Sequence, residues 1–185
     1  MDKVKITIDG KKITESADCT ILEAAKNAKI NIPTLCYLKN INDIGSCKQC
    51  VVEIEGRDNL VTSCNTKIEQ GMKISTKSKR VKDARQEMLD LILANHNFNC
   101  NKCKSNKDCE LQNLSNKNGI KKSIYEENYL DMDEVNTNPF LEYDPSICIG
   151  CKRCVAACKK VARNGILQSK KLGNKSFIGT PFGQY

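Results

Sequence analysis

Cys36-Tyr-Leu-Lys-Asn-Ile-Asn-Asp-Ile-Gly-Ser-Cys47-Lys-Gln-Cys50, followed after thirteen residues by Cys64, decides how this chain is read. Two thiols in a C-x2-C pair grip one face of a small inorganic core. One cysteine before the pair and one after it close the other face. Four thiolates so disposed are the ligand set of a [2Fe–2S] cluster. Gly45 and Ser46 precede the pair, and small residues there let backbone N–H groups approach anionic sulfur. Val51-Val-Glu-Ile-Glu-Gly56 then reads as a strand, a rigid mount for a metal centre.

Outward from that stretch, the flanks predict a small mixed fold. Residues 3–8 (Lys-Val-Lys-Ile-Thr-Ile) alternate apolar and polar and read as a strand. Asp9-Gly10 is a hairpin signal, and Lys11 to Glu15 is the returning strand. Thr20 is a cap for a helix over residues 21–28, with Glu23 at the capping-box position. Ile32 to Leu35 is an extended approach to Cys36. Val51–Ile54, Leu60–Ser63 and Met72–Ser75 supply further strands, with Gly71 at the turn before the last. A hairpin, one helix, a cysteine loop and a closing strand make a β-grasp arrangement. Cys19 lies outside every ligand spacing and reads as a small half-buried side chain.

Residues 77–95 carry the longest helical pattern, with Val81, Ala84, Met88, Leu91 and Ile92 at three- and four-residue steps. Asp83, Glu87 and Asp90 are expected on its solvated face. The helix delivers His96, the only histidine, into His96-x3-Cys100-x2-Cys103-x5-Cys109. A neutral imidazole completes either a Cys3His zinc site or an iron–sulfur cluster. Residues 110–143 are Asn- and Lys-rich, and predict a short helix (110–116) and an exposed connector. Pro139 and Pro145 bracket an extended segment, 140–144.

It leads into Cys148-Ile-Gly-Cys151-Lys-Arg-Cys154-Val-Ala-Ala-Cys158. This C-x2-C-x2-C-x3-C run is that of bacterial-type [4Fe–4S] ferredoxins. Two features depart from the pattern. Lys159 stands where a proline is expected, and no second cysteine run comes after it to share ligands. The tail reads as a closing hairpin built from Gly165-Ile-Leu-Gln and Ser176-Phe-Ile-Gly.

Composition narrows the class. Aromatics are 5% and tryptophan is absent, so a large apolar core is not expected. The chain begins Met-Asp-Lys-Val-Lys, with no apolar signal segment, and no run approaches a membrane span. Twelve cysteines in a reducing, cytoplasmic setting are read as metal ligands, all but Cys19. The formal charge of +8 raises nucleic acid as a partner. Three oxidised clusters with their thiolates would bring roughly −5, and the lysines are scattered, so nucleic acid is set aside.

The ordered series Cys36/Cys47/Cys50/Cys64, His96/Cys100/Cys103/Cys109 and Cys148/Cys151/Cys154/Cys158 resembles the N-terminal iron–sulfur electron-transfer region of [FeFe] hydrogenases. The same region opens the complex I large iron–sulfur subunit and forms the small diaphorase subunit of NAD-linked soluble hydrogenases. Related formate dehydrogenases contain parts of it. The resemblance implies an α+β protein in sections: a β-grasp plant-type [2Fe–2S] ferredoxin-like domain (1–77), a helical His/Cys3 [4Fe–4S] domain (78–120), a connector (121–141) and a partial ferredoxin-like [4Fe–4S] domain (142–185). It implies one [2Fe–2S] and two [4Fe–4S] clusters. The fourth ligand of the last is Cys158, a group from a partner chain, or a residue beyond the end of this sequence.

No segment matches a catalytic hydrogenase domain, a flavin site or a Gly-rich nucleotide loop. The expected function is to relay single electrons between a flavin-bearing NAD(P)H-oxidising subunit and a catalytic hydrogenase or formate dehydrogenase subunit. The alternatives are an N-terminal fragment of a monomeric [FeFe] hydrogenase, a non-redox zinc-binding interaction module, and a sensor that loses a cluster on oxidation.

Overall fold

The computed structural model describes residues 2–130, 135–138, 141–172 and 175–181. These fall into two compact units, one of residues 1–35 and 43–89, the other of residues 36–42 and 90–185.

The first unit is built on a five-stranded sheet of β1 (Lys3–Ile8), β2 (Lys11–Ser16), β3 (Val51–Ile54), β4 (Val61–Thr62) and β5 (Lys73–Ser75). Its order is β2-β1-β5-β3-β4. β1 and β2 form an antiparallel hairpin, with Ile6 opposite Ile13. Asp9 and Gly10 at its tip both have positive φ, +48° and +81°, the two-residue geometry that matches strand twist. β1 pairs parallel with β5, while β3 is antiparallel to both β5 and β4. A parallel pair cannot be closed by a tight turn, so the chain between β1 and β5 must cross over.

That crossover includes α1 (Ile21–Asn27). Thr20 caps it as expected: its hydroxyl accepts from the Glu23 N–H, and the Glu23 carboxylate accepts from the Thr20 N–H. Ile21, Leu22, Ala24 and Ala25 are buried, as are Ile6, Ile8, Val52, Ile54 and Ile74 of the sheet. Each large aliphatic so buried contributes about 1.5–3 kcal/mol. Asp9 also fastens the far end of the sheet, where its carboxylate accepts from the Thr76 N–H at 2.7 Å and the Thr76 hydroxyl at 2.6 Å.

α2 (Lys79–Ala94) carries the chain out of this unit. Its buried stripe is Val81, Leu89, Leu93 and Ala94, and Leu91 is exposed, so the apolar face lies one step round from the expected one. Asp90 departs from its expected place too. It is only 3% exposed, its carboxylate accepts from the Ile124 N–H at 3.4 Å, and its carbonyl accepts from the Ser123 hydroxyl at 2.9 Å.

The second unit holds a 3-10 turn (Cys100–Lys102), α3 (Glu110–Lys117), the pair β6 (Val135–Asn138) and β7 (Leu141–Tyr143), a 3-10 turn (Pro145–Ile147), α4 (Arg153–Lys160), and the hairpin β8 (Gln168–Leu172) and β9 (Lys175–Gly179). Residues 121–130 have no helix or strand, but Ile120 and Leu130 are buried. The connector is therefore anchored at intervals rather than fully exposed. Pro139 and Phe140 of the expected extended segment lie outside the described residues. The tail does form a hairpin, with Gln168 opposite Gly179, although its first strand begins after Gly165.

Candidate metal centres

In the first unit, Cys47, Cys50 and Cys64 are all buried, at 7%, 1% and 1% exposure. The sheet explains the placement. β3 starts at Val51, directly after Cys50, and pairs with β4, which ends two residues before Cys64. The Ser63 N–H and hydroxyl both donate to the Cys50 carbonyl, at 3.0 and 2.8 Å, which ties the segment before Cys64 to the C-x2-C loop. The Cys64 Sγ lies 3.8 Å from the Asp43 carbonyl. Gly45 has φ +64°, and a Cβ there would meet Thr62 Oγ1 at 3.0 Å, so this turn of the loop requires glycine both for its conformation and for its closeness to β4.

Inside the C-x2-C pair, Lys48 is left-handed with φ +53°. Gln49 is 1% exposed and its amide donates to the Arg85 carbonyl of α2 at 3.0 Å. The Arg85 guanidinium donates to the Val51 carbonyl at 2.7 Å.

Cys36 belongs to the second unit, where it is buried at 1% exposure. The Asn42 side-chain amide donates to two carbonyls, that of Cys36 at 2.7 Å and that of Cys151 at 2.9 Å. Arg153 adds a second tie to the same segment through the Tyr37 carbonyl at 3.0 Å, and pairs with Glu110 of α3 at 2.6 Å.

His96 comes directly after α2 and Asn95, its N–H donating to the Leu93 carbonyl at 3.1 Å. Its Nδ1 is buried and has no hydrogen-bond partner among the described residues. Burial pulls the imidazole pKa below its ordinary value, against weaker opposing effects of the Ile147 backbone and Asp144. A neutral imidazole with an unsatisfied inward nitrogen is what a metal ligand requires. Cys100 and Cys103 bound a 3-10 turn closed by the Cys103 N–H on the Cys100 carbonyl at 3.2 Å. Cys109 caps α3, its Sγ accepting from the Gln112 N–H at 3.5 Å.

Cys148 comes after the second 3-10 turn, Cys151 precedes α4, and Cys154 and Cys158 lie on it one turn apart. Burial raises the Cys151 thiol pKa; Arg153 opposes the rise and Cys148 adds to it. Binding a metal replaces such protons. Tyr143 faces the same group: burial lifts its phenol above the ordinary range and Cys148 adds to the lift, while its hydroxyl accepts from the Ile178 N–H at 2.9 Å. Cys158 is engaged differently. Its thiol donates to Asn164 Oδ1 at 2.8 Å and accepts from the Leu167 N–H at 3.3 Å. The two later sites adjoin one another, since the Asn97 N–H donates to the Ser146 carbonyl at 2.8 Å.

Cys100, Cys103, Cys109, Cys148, Cys151, Cys154 and Cys158 are free thiols. Among the described residues no three His, Cys, Asp or Glu side chains converge on a single-ion site. The donor set, soft thiolates with one imidazole, fits iron–sulfur clusters. Sequence reasoning missed Asn42, Gln49, Arg85, Tyr143 and Arg153 around these cysteines. Gln49 and Arg153, the polar residues within two C-x2-C pairs, were visible in position but not in role.

Three family descriptions match in chain order: a 2Fe-2S iron-sulfur cluster binding domain over residues 1–79, the iron-sulfur binding region of NADH-ubiquinone oxidoreductase G over 85–123, and a 4Fe-4S binding domain over 141–163. The chain is 37% identical over 181 residues to NADPH-Fe(3+) oxidoreductase subunit alpha of Geobacter sulfurreducens, covering 97% of this chain and 21% of that protein. It is 38% identical over 187 residues to NADP-reducing hydrogenase subunit HndD of Solidesulfovibrio fructosivorans, covering 98% of this chain and 32% of that one. It thus spans between a fifth and a third of these two relatives' length. A chain in the crystal structure of an NAD+-reducing [NiFe]-hydrogenase superimposes with a TM-score of 0.87 at 31% identity, over 96% of this chain and 75% of that one. No helix of the described residues is long and apolar enough to cross a membrane.

Residues 1–79 match a 2Fe–2S cluster binding domain, the chain carries one [2Fe–2S] cluster together with [4Fe–4S] clusters, and it belongs to the iron–sulfur electron-transfer family shared by [FeFe] hydrogenases, the complex I large iron–sulfur subunit and NAD-linked diaphorase subunits.

Proposed function

We propose that this chain is an electron-relay subunit in which Cys36, Cys47, Cys50 and Cys64 hold the [2Fe–2S] cluster of a β-grasp domain. His96, Cys100, Cys103 and Cys109 hold one [4Fe–4S] cluster in a helical section, and Cys148, Cys151 and Cys154 hold another. Either Cys158, whose thiol contacts Asn164 and the Leu167 N–H, or a group from a partner supplies the fourth ligand of this last cluster. The clusters supply the one-electron chemistry. The chain's own residues fix them in place, shield them from water and set the charge around them.

The observation that carries this reading is the Asn42 amide, which bridges the backbone of Cys36 and Cys151. One side chain thereby fixes a ligand segment of the first cluster to a ligand segment of the last. The contact of Asn97 with Ser146 does the same for the two later sites. A set of independent structural metals has no need of such ties. The partners proposed are a flavoprotein that oxidises NAD(P)H and a catalytic hydrogenase or formate dehydrogenase subunit, in the cytoplasm.

Electron paramagnetic resonance of the dithionite-reduced chain tests the relay. The expected spectrum shows [2Fe–2S] and [4Fe–4S] signals broadened by mutual spin coupling, and Asn42→Leu weakens that coupling. Wild-type signals without coupling would contradict it.

A further inference from the structure

Arg85 holds the two residues that flank Cys50. Its guanidinium donates to the Val51 carbonyl at 2.7 Å, and its own carbonyl accepts from the Gln49 amide at 3.0 Å. Cys50 lies between those two residues. Gln49 is 1% exposed, so the tie is shielded from water. Helix α2 is thus stitched to the C-x2-C loop through the side chain and the backbone of one residue.

The same guanidinium has an unused donor. Arg85 Nε is buried and has no partner among the described residues, and a buried donor without an acceptor is costly. Burial works against the charged form, while Cys50, ahead of Asp9, holds it up. Both Asp9 carboxylate oxygens are already engaged by Thr76. The bond to the Val51 carbonyl sets this cation one residue from Cys50. Arginine keeps its proton at any ordinary pH, so the positive charge is permanent. Reduction adds negative charge to a cluster, and a fixed cation beside a ligand favours the reduced form.

We infer that Arg85 is a positioning residue of the first centre: it locks the Cys47–Cys50 loop onto α2 and holds a buried positive charge against Cys50 that raises the reduction potential of the [2Fe–2S] cluster. The inference rests on the reading that Cys47 and Cys50 are ligands of that cluster. Its consequence is that the first cluster retains an electron more strongly than its four thiolates alone would allow.

The test uses the full chain, purified without oxygen, as wild type, Arg85→Gln, Arg85→Lys and Gln49→Leu. Each cluster signal is followed through a redox titration, and iron release to a chelator is timed. Arg85→Gln removes the charge and keeps a donor. Its [2Fe–2S] signal is expected to titrate at lower potential, with the [4Fe–4S] signals unmoved. Arg85→Lys keeps the charge, so its potential stays near wild type, but it lacks the fork and releases iron severalfold faster. Gln49→Leu releases iron faster at unchanged potential.

An Arg85→Gln signal at the wild-type potential overturns the charge argument. If that variant takes up no cluster, Arg85→Lys decides: iron release at the wild-type rate overturns the clamp, and a fallen potential overturns the charge argument. Wild-type chain with no [2Fe–2S] signal overturns the assignment of the site and the inference with it.

Discussion

Cys47-Lys48-Gln49-Cys50 and Cys151-Lys152-Arg153-Cys154 are the same local device on two different mounts. In both, the lysine after the first cysteine is left-handed, with φ +53° at Lys48 and +59° at Lys152. In both, the next residue is polar and reaches away from its own loop, Gln49 to the Arg85 carbonyl and Arg153 to the Tyr37 carbonyl and Glu110. The elements behind the two loops differ. Cys50 runs into β3, between β5 and β4, and it is 1% exposed. Cys154 sits in α4 and is exposed. The turn geometry belongs to the motif, while the shielding of the sulfur comes from the mount. Burial by a sheet core excludes water, so the sulfur of Cys50 is insulated and that of Cys154 is open.

The largest expected effect separates the two mounts outright. Val52 is fully buried in β3, whereas Val155 in α4 is half-buried. Val52→Asp puts a charge where no partner or water can reach it, a cost of several kcal/mol, and is expected to remove the folded first unit and the [2Fe–2S] absorption. Val155→Asp is expected to leave both intact. Thermal melts read with visible circular dichroism of the two variants check this, and equal loss in both would erase the distinction.

A middle-sized effect probes how tightly β4 holds the first loop. Gly45→Ala introduces a Cβ that meets Thr62 at 3.0 Å in a left-handed residue, a strain of about 1–2 kcal/mol. Chelator-driven loss of the [2Fe–2S] cluster is expected to speed up about tenfold. An unchanged rate would mean that β4 gives way freely and the mount is softer than the burial implies.

The smallest effect compares the motifs themselves. Lys48→Gly and Lys152→Gly relieve the same left-handed strain, and each is expected to raise stability by less than about 1 kcal/mol. Denaturant midpoints that move together support a shared device. A gain at one position alone would show that the two turns differ in strain.

Much of this architecture is legible in short-range pattern. Thr20 and Glu23 announce a helix start, Asp9-Gly10 a hairpin tip, and the cysteine spacings the three metal-binding sections. The long-range partners are not legible. Nothing near Asn42 in sequence says that it reaches Cys151, 109 residues away. Arg85 looks like one more surface cation on a charged helix until Gln49 and Val51 are placed beside it. Asp90 reads as solvated for the same reason, because the residues it serves, Ser123 and Ile124, arrive from a stretch without regular structure. The face of α2 is misjudged by one step, with Leu89 inside and Leu91 out. On a helix with apolar residues at 88, 89, 91, 92 and 93, periodicity leaves that choice to the surrounding packing.

The three cysteine sections are proposed to hold iron–sulfur clusters that act together. The most direct test is the iron, acid-labile sulfide and zinc content of the full chain purified without oxygen. The account predicts about ten irons with matching sulfide, two from the first cluster and four from each of the others, or about six if the last site needs its ligand from a partner. About three zinc ions per chain without sulfide would contradict it and leave a structural metal protein.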